Sequence, residues 1–315
     1  MQKYKLSVII LFTVTILFWF SQYAYTSYVN PELEKMGIAA SFMGFVAGAY
    51  GLTQTLVRIP VGIISDKWQK KIPICMGCLC VSLASACMFF FYTPASFLIG
   101  RALGGIAASA WVPITVLYSS YYKSDDATKS ITMINMAQQV GRLLSFIIAS
   151  VVVVAFGEKS AFALSAIGGF IGLIISIFII EDRDKKREPI SIKALISVSG
   201  NRNLIITTVL AIFFQIIAFS TFFSFTANHA YSIGATPAQL SYVNVAMLAP
   251  AVIISYLTAR YILKYIKAQW LVVIGFVLTA IYCGFLPFTE TIIQLYIFQA
   301  VSLAGAWQRH LWCVK

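Results

Sequence analysis

The feature that most constrains this chain is a succession of apolar runs, each about twenty residues long, separated by short polar breaks. Ten such runs fall near 6–29, 42–65, 73–92, 95–119, 131–155, 160–180, 203–226, 238–258, 268–287 and 291–307. About 20 apolar residues are what a helix needs to cross the hydrocarbon of a bilayer. Inside lipid every backbone N–H requires an internal partner, which leaves only helices and closed barrels. Barrel strands alternate in polarity over about ten residues, and these runs are longer and continuously apolar. Composition points the same way. The chain is 60% hydrophobic and only 11% charged, whereas a soluble domain carries about 25% charged residues to cover its surface. The expected class is all-α, a polytopic membrane protein.

Lysine and arginine positions orient the runs. Eighteen of the 23 fall in one alternating set of breaks, two (Lys35 and Lys159) in the other, and three inside spans. Positive charge concentrates on the cytoplasmic side, so the N-terminus is expected in the cytoplasm, with the protein multi-pass in the cytoplasmic (inner) membrane. The net charge of +12 sits in short clusters without a continuous basic stripe, so no nucleic-acid partner is expected. The start, "MQKYKLSVIILF", has the basic and apolar parts of a signal peptide. Its apolar run is long enough to be a retained first helix. Cys75, Cys78 and Cys80 lie inside an apolar run with no histidine nearby. Helical spacing turns residue 80 away from the other two, so neither a metal nor a cofactor is expected.

One polar break stands out. "GIISDKWQKK", Gly62–Lys71, joins the second and third runs. Gly62 would permit close helix approach, and Asp66 at a helix end could accept charge-assisted hydrogen bonds. A topology anchor would explain the lysines but neither Gly62 nor Asp66. The stretch resembles the loop signature of the major facilitator superfamily, G-x-x-x-D-[RK]-x-G-[RK]-[RK], through Gly62, Asp66, Lys67, Lys70 and Lys71. Gln69 replaces the usual second glycine. "RALGGIAAS" in the fourth run matches that family's R-x-x-x-G-x-x-A pattern through Arg101, Gly105 and Ala108. An arginine inside a span normally faces a partner or a wet cavity, with snorkelling to the interface as the other reading. A faint copy of the loop, "PAVIISYLTARYILKYIK", recurs near 250–267 without the glycine and aspartate. Weak internal symmetry of this kind suits a transporter built from two similar halves.

The resemblance implies a two-bundle, inverted-repeat fold of twelve helices, with a loop latch favouring the outward-facing state and small-solute transport by alternating access. Here ten runs are present: a six-helix bundle over 1–180, a cytoplasmic loop over 181–202 and an incomplete bundle over 203–315. The loop reads as a solvated linker, with a surface helix in its second part as the alternative. The ending "AWQRHLWCVK" crowds polar residues where more apolar sequence is expected. It reads as a truncated or frameshifted product lacking two spans, with a cytoplasmic tail as the other reading.

Asn135, Gln138, Gln139 and Arg142 recur every three or four residues in the fifth run, one polar stripe at membrane depth. Such a stripe either bonds another helix or faces a water-filled cavity. Further cavity candidates are Trp19, Gln22, Tyr23 and Tyr25 in the first run, Gln215 in the seventh and Asn244 in the eighth, with Tyr25 as an interface anchor the other reading. All eleven acidic residues lie in loops or at run ends, while Arg58, Arg101 and Arg142 lie within runs. Positive charge without compensating acid suits an anionic or zwitterionic organic solute. The lack of an intramembrane acid lowers the case for a proton-coupled drug exporter. With only two histidines and no catalytic constellation, an enzyme is not expected. The expected partners are a small-molecule solute and membrane lipid, and the expected state is a monomer. A remnant that inserts without transporting is the remaining alternative.

Overall fold

The computed structural model describes residues 5–122, 127–181, 202–217, 221, 225–260 and 268–301, and no strand occurs among them. The proposed central loop beyond Glu181, the turn over 261–267 and the ending after Val301 lie outside the described residues. Two compact units divide the chain, Met1–Pro189 and Ile190–Lys315.

In the first unit, the first predicted span is α1 (Lys5–Tyr23) followed by α2 (Thr26–Lys35). Next come α3 (Ala40–Lys67), α4 (Lys71–Phe91), α5 (Pro94–Ala108) and α6 (Trp111–Ser120). The unit ends with α7 (Ala127–Phe156) and α8 (Ser160–Ser176). Two runs expected to be continuous helices are thus broken. The break between α5 and α6 has a local cause. Pro113 supplies no N–H to the Ser109 carbonyl and its ring crowds that oxygen, so the helix interrupts there. Thr93 starts α5 cleanly: its hydroxyl accepts from the Ser96 N–H, Ser96 accepts from the Thr93 N–H, and Pro94 takes the first turn.

Among the described residues, four helical stretches, Lys5–Lys35, Lys71–Phe91, Pro94–Ser120 and Ser130–Phe156, are long and apolar enough to cross a membrane. Ser160–Ser176 and Val273–Phe288 are apolar but shorter. The outer face is apolar too, with Phe156 79%, Phe90 75% and Ile59 72% exposed. A solvent of lipid tails accepts such a face, whereas a soluble monomer rarely shows apolar patches of this extent.

Inside the unit, small residues let backbones touch. α1 packs along α7 and α8, and α4 along α5 and α8. A Cβ on Gly141 of α7 would lie 2.5 Å from the Ile16 carbonyl oxygen of α1, so only glycine fits that crossing. Hydroxyls tie α8 to its neighbours. Ser165 donates to the Ser21 carbonyl at 2.6 Å and lies 2.5 Å from the Ser85 hydroxyl, and Ser82 donates to the Ala166 carbonyl at 2.9 Å.

The second unit contains α9 (Arg202–Ile217), α10 (Thr226–Ser232), α11 (Pro237–Arg260), α12 (Ala268–Phe285) and α13 (Ile292–Val301). The Thr226 and Tyr282 hydroxyls meet at 2.8 Å, and His229 Nε2 lies 2.7 Å from Thr289 Oγ1, joining α10 to α12 and the turn after it.

Candidate functional site

The polar stripe of α7 is half-buried along its length, at Asn135, Gln138, Gln139 and Arg142. Its last member has a specific setting. Because Gly141 brings α7 onto α1, the Arg142 guanidinium reaches across two rings one helical turn apart on α1. Its carbon lies 4.6 Å from the Trp19 ring centroid and 4.5 Å from that of Tyr23. Arg142 Nη1 lies 3.4 Å from the Gln139 side-chain oxygen, a long contact, and Arg142 Nε has no hydrogen-bond partner. The Trp19 indole N–H, on a side chain 4% exposed, is likewise without one. Among the described residues no carboxylate pairs with Arg142. Trp111 of α6 packs edge-on against Trp19 at 5.5 Å and Phe146 against Tyr23 at 6.0 Å, fixing the ring pair from behind. A cation over aromatic faces keeps its charge without a carboxylate, and here two N–H donors beside it are unused.

Gln22 is placed differently from the cavity role expected of it. Its side-chain N–H donates to the Gly104 carbonyl at 2.8 Å, and it is buried in the α1–α5 contact with its own oxygen unpartnered. Asn244 is buried within the second unit. Gln215 lies on α9, and its side chain falls outside the described residues. The structure therefore joins Tyr23, Gln139 and Arg142 in one cluster and separates Gln22 from it.

The fourth-span motif is a packing device. A Cβ on Gly105 would stand 2.1 Å from both Thr53 Oγ1 and the Tyr50 carbonyl oxygen, so the glycine sets the α3–α5 approach. Ala108 is fully buried, and Thr53 closes the crossing by donating to the Ala102 carbonyl at 2.8 Å. Arg101 is 8% exposed, with its guanidinium over the Tyr50 ring at 4.6 Å, so it faces into the bundle rather than snorkelling outward.

The Gly62–Lys71 stretch needs one correction. A Cβ on Gly62 would meet nothing within 4 Å, so among the described residues this glycine makes no close helix approach. Asp66 and Lys67 are exposed, and Asp66 makes no ion pair among the described residues. The lysines bond elsewhere. The Lys71 N–H donates to Glu181 Oε2 at 3.0 Å, Lys71 Nζ to the Ile177 carbonyl at 2.5 Å, and Lys70 Nζ lies 3.7 Å from Glu181 Oε1. Glu181 is the residue that motif reading missed. It stands 110 positions from Lys71, and no local pattern reports a contact at that separation.

A helical, lipid-facing chain with a buried aromatic–arginine cluster belongs to the class of polytopic membrane proteins. It matches the Major Facilitator Superfamily over residues 11–308, and the chain belongs to that family. It is 30% identical over 157 residues to an uncharacterized transporter of Buchnera aphidicola subsp. Schizaphis graminum, covering 48% of this chain and 40% of that protein. It is 26% identical over 158 residues to the inner membrane transport protein YajR of Escherichia coli, covering 48% of this chain and 34% of the relative. The chain thus spans less than half the length of these two relatives. Among solved structures, the nucleoside transporter NupG (D323A mutant) superposes with a TM-score of 0.76 at 14% identity, over 98% of this chain and 82% of that one. At that identity the likeness concerns the fold.

Proposed function

We propose that this chain carries a small organic solute across the cytoplasmic membrane by alternating access, and that an anionic or zwitterionic group of the solute is received by Arg142. The observation that carries the reading is the Arg142 guanidinium resting on Trp19 and Tyr23 with its Nε–H unused and, among the described residues, no carboxylate on it. A carboxylate or similar anion would take such donors in charge-assisted hydrogen bonds, which are the stronger kind. Asn135 and Gln138, half-buried on the same stripe, would bond the polar remainder. In this reading the six spans of 1–180 form one bundle and 203–315 belong to the other. The N-terminus faces the cytoplasm and the chain works as a monomer without a cofactor. With Lys70 and Lys71 engaged by Glu181 and its neighbourhood, exposed Asp66 is left to accept a latch bond that exists in only one state and so biases the equilibrium.

Uptake into proteoliposomes tests the proposal. Labelled monocarboxylates, amino acids and neutral sugars would be compared in the wild type and in Arg142→Gln. Selective uptake of an anionic or zwitterionic solute that the variant loses supports it. Equal uptake in both removes Arg142 from the site. Binding to Trp19, read as fluorescence quenching by the same solutes without any uptake, would mark a chain that binds but does not transport.

A further inference from the structure

At the end of the first unit opposite the Lys67–Lys71 loop, side chains from three separate turns meet. Glu32 and Lys35 stand one turn apart on α2, Tyr92 follows α4, and Glu158 lies in the turn from α7 to α8. The Lys35 ammonium bonds Glu32 Oε1 at 2.8 Å and also bonds Glu158 Oε2. The Tyr92 hydroxyl donates to Glu32 Oε2. Gly37 at φ 74° and Gly157 at φ 82° take the left-handed conformation that closes the turns carrying Lys35 and Glu158. The charged and titratable groups at this end are Glu32, Glu34 and Lys35 from α2, Tyr92 after α4, and Glu158 and Lys159 before α8. Lys159 lies over the Tyr92 ring at 4.7 Å and the Phe89 ring at 5.7 Å.

Two carboxyls therefore share one ammonium. Glu32 accepts at both oxygens and is fixed as the anion. Glu158 has a single donor, and like charge beside it favours its neutral form. We propose that Glu158 is a proton-operated tie. Protonated, it donates to Glu32 and holds the α7–α8 turn against α2 and Tyr92. Deprotonated, it repels Glu32 and the three turns loosen.

Burial and the adjoining Glu32 push the Glu158 carboxyl up to about 7, within reach of ordinary changes in external pH. Burial and the neighbouring carboxylates also raise the Tyr92 hydroxyl, which keeps it a donor throughout. The sign follows. A carboxyl whose folded value lies above its unfolded one adds stability that is complete in acid and is lost as pH rises through the folded value. The tie is thus firm below the ordinary carboxyl range and released by about pH 7 and above. None of this depends on solute transport, because the turns would titrate equally in a chain that moves nothing.

Hydrogen exchange on the purified full chain, corrected for chemical exchange rates, tests the tie between about pH 5.5 and 8.5. Peptides covering 33–39 and 156–160 are expected to lose protection progressively, by roughly tenfold or more, as pH rises toward 7, and to level off above it. Glu158→Gln keeps a neutral donor toward Glu32 and should stay protected at every pH, while Lys159→Gln should retain the step. A wild type without the step, or a Glu158→Gln chain that keeps it, overturns the proposal. If Glu158→Gln does not fold, Glu32→Gln serves instead: removing the neighbouring charge must lower the pH at which the loss of protection levels off, and an unmoved plateau overturns the tie.

Discussion

Arg142 and Gln22 are both polar at membrane depth, yet they are held in different ways. Gln22 spends its N–H donor on the Gly104 carbonyl of α5, and such interhelical bonds in lipid are worth about 0.6 kcal/mol on average. Gln22→Leu should therefore lower thermal stability only slightly and leave solute affinity unchanged. A large affinity loss in a binding titration would move Gln22 into the site. Arg142 has donors to spare, and hydrogen bonds to charged groups are worth about 1.5–3 kcal/mol. Arg142→Gln should accordingly weaken an anionic ligand by roughly tenfold or more, with insertion intact, in the same titration. Gly105 is the strictest position. With a Cβ 2.1 Å from the Tyr50 carbonyl oxygen, Gly105→Val must force α3 and α5 apart. Overpacking of this kind costs about 1–3 kcal/mol, so the variant should melt at a lower temperature than Gly62→Val, where the space is open. Equal melting of the two would refute the packing role.

At the level of elements, the contacts of the loop from α3 to α4 run through its lysines, and among the described residues none is an ion pair of Asp66. Glu181 accepts the Lys71 N–H and faces Lys70, fastening the start of α4 to the chain beyond α8. Truncating Glu181 should free this loop. Limited proteolysis after Lys67, Lys70 and Lys71 is expected to quicken in Glu181→Ala and to stay at the wild-type rate in Asp66→Asn. The reverse order would mean that Asp66 is the structural member. The α4–α5 turn rests on the reciprocal Thr93–Ser96 cap, and loss of such a cap costs about 1 kcal/mol. Helix interruptions were less legible than helix existence. Pro113 signals the break at Ser109 once its i−4 partner is considered, whereas the break at Ala24–Tyr25 follows no local breaker.

On the scale of the whole molecule, orientation is the testable statement. With Ile38→Cys and Trp68→Cys placed singly, an impermeant thiol reagent added to whole cells should label position 38 and spare 68. Labelling of 68 alone would invert the topology. Membrane character and helical class were legible from run length and charge placement, because lipid demands both from any spanning helix whatever its neighbours. The same holds for the stripe through Arg142, since periodicity alone places four polar residues on one face. Its surroundings were not legible. Whether Arg142 meets a carboxylate, an open cavity or two aromatic rings depends on Gly141 letting α7 touch α1, a contact between helices far apart in sequence. The bond of Lys71 to Glu181, the turn of Gln22 toward Gly104 and the meeting of Glu32 with Glu158 are of the same kind. Local sequence determined which segments are helical and which faces are polar, through backbone hydrogen bonding and hydrophobicity that act within a few residues. Tertiary structure alone decided which of those polar groups are satisfied, because their partners are brought together only when the helices pack.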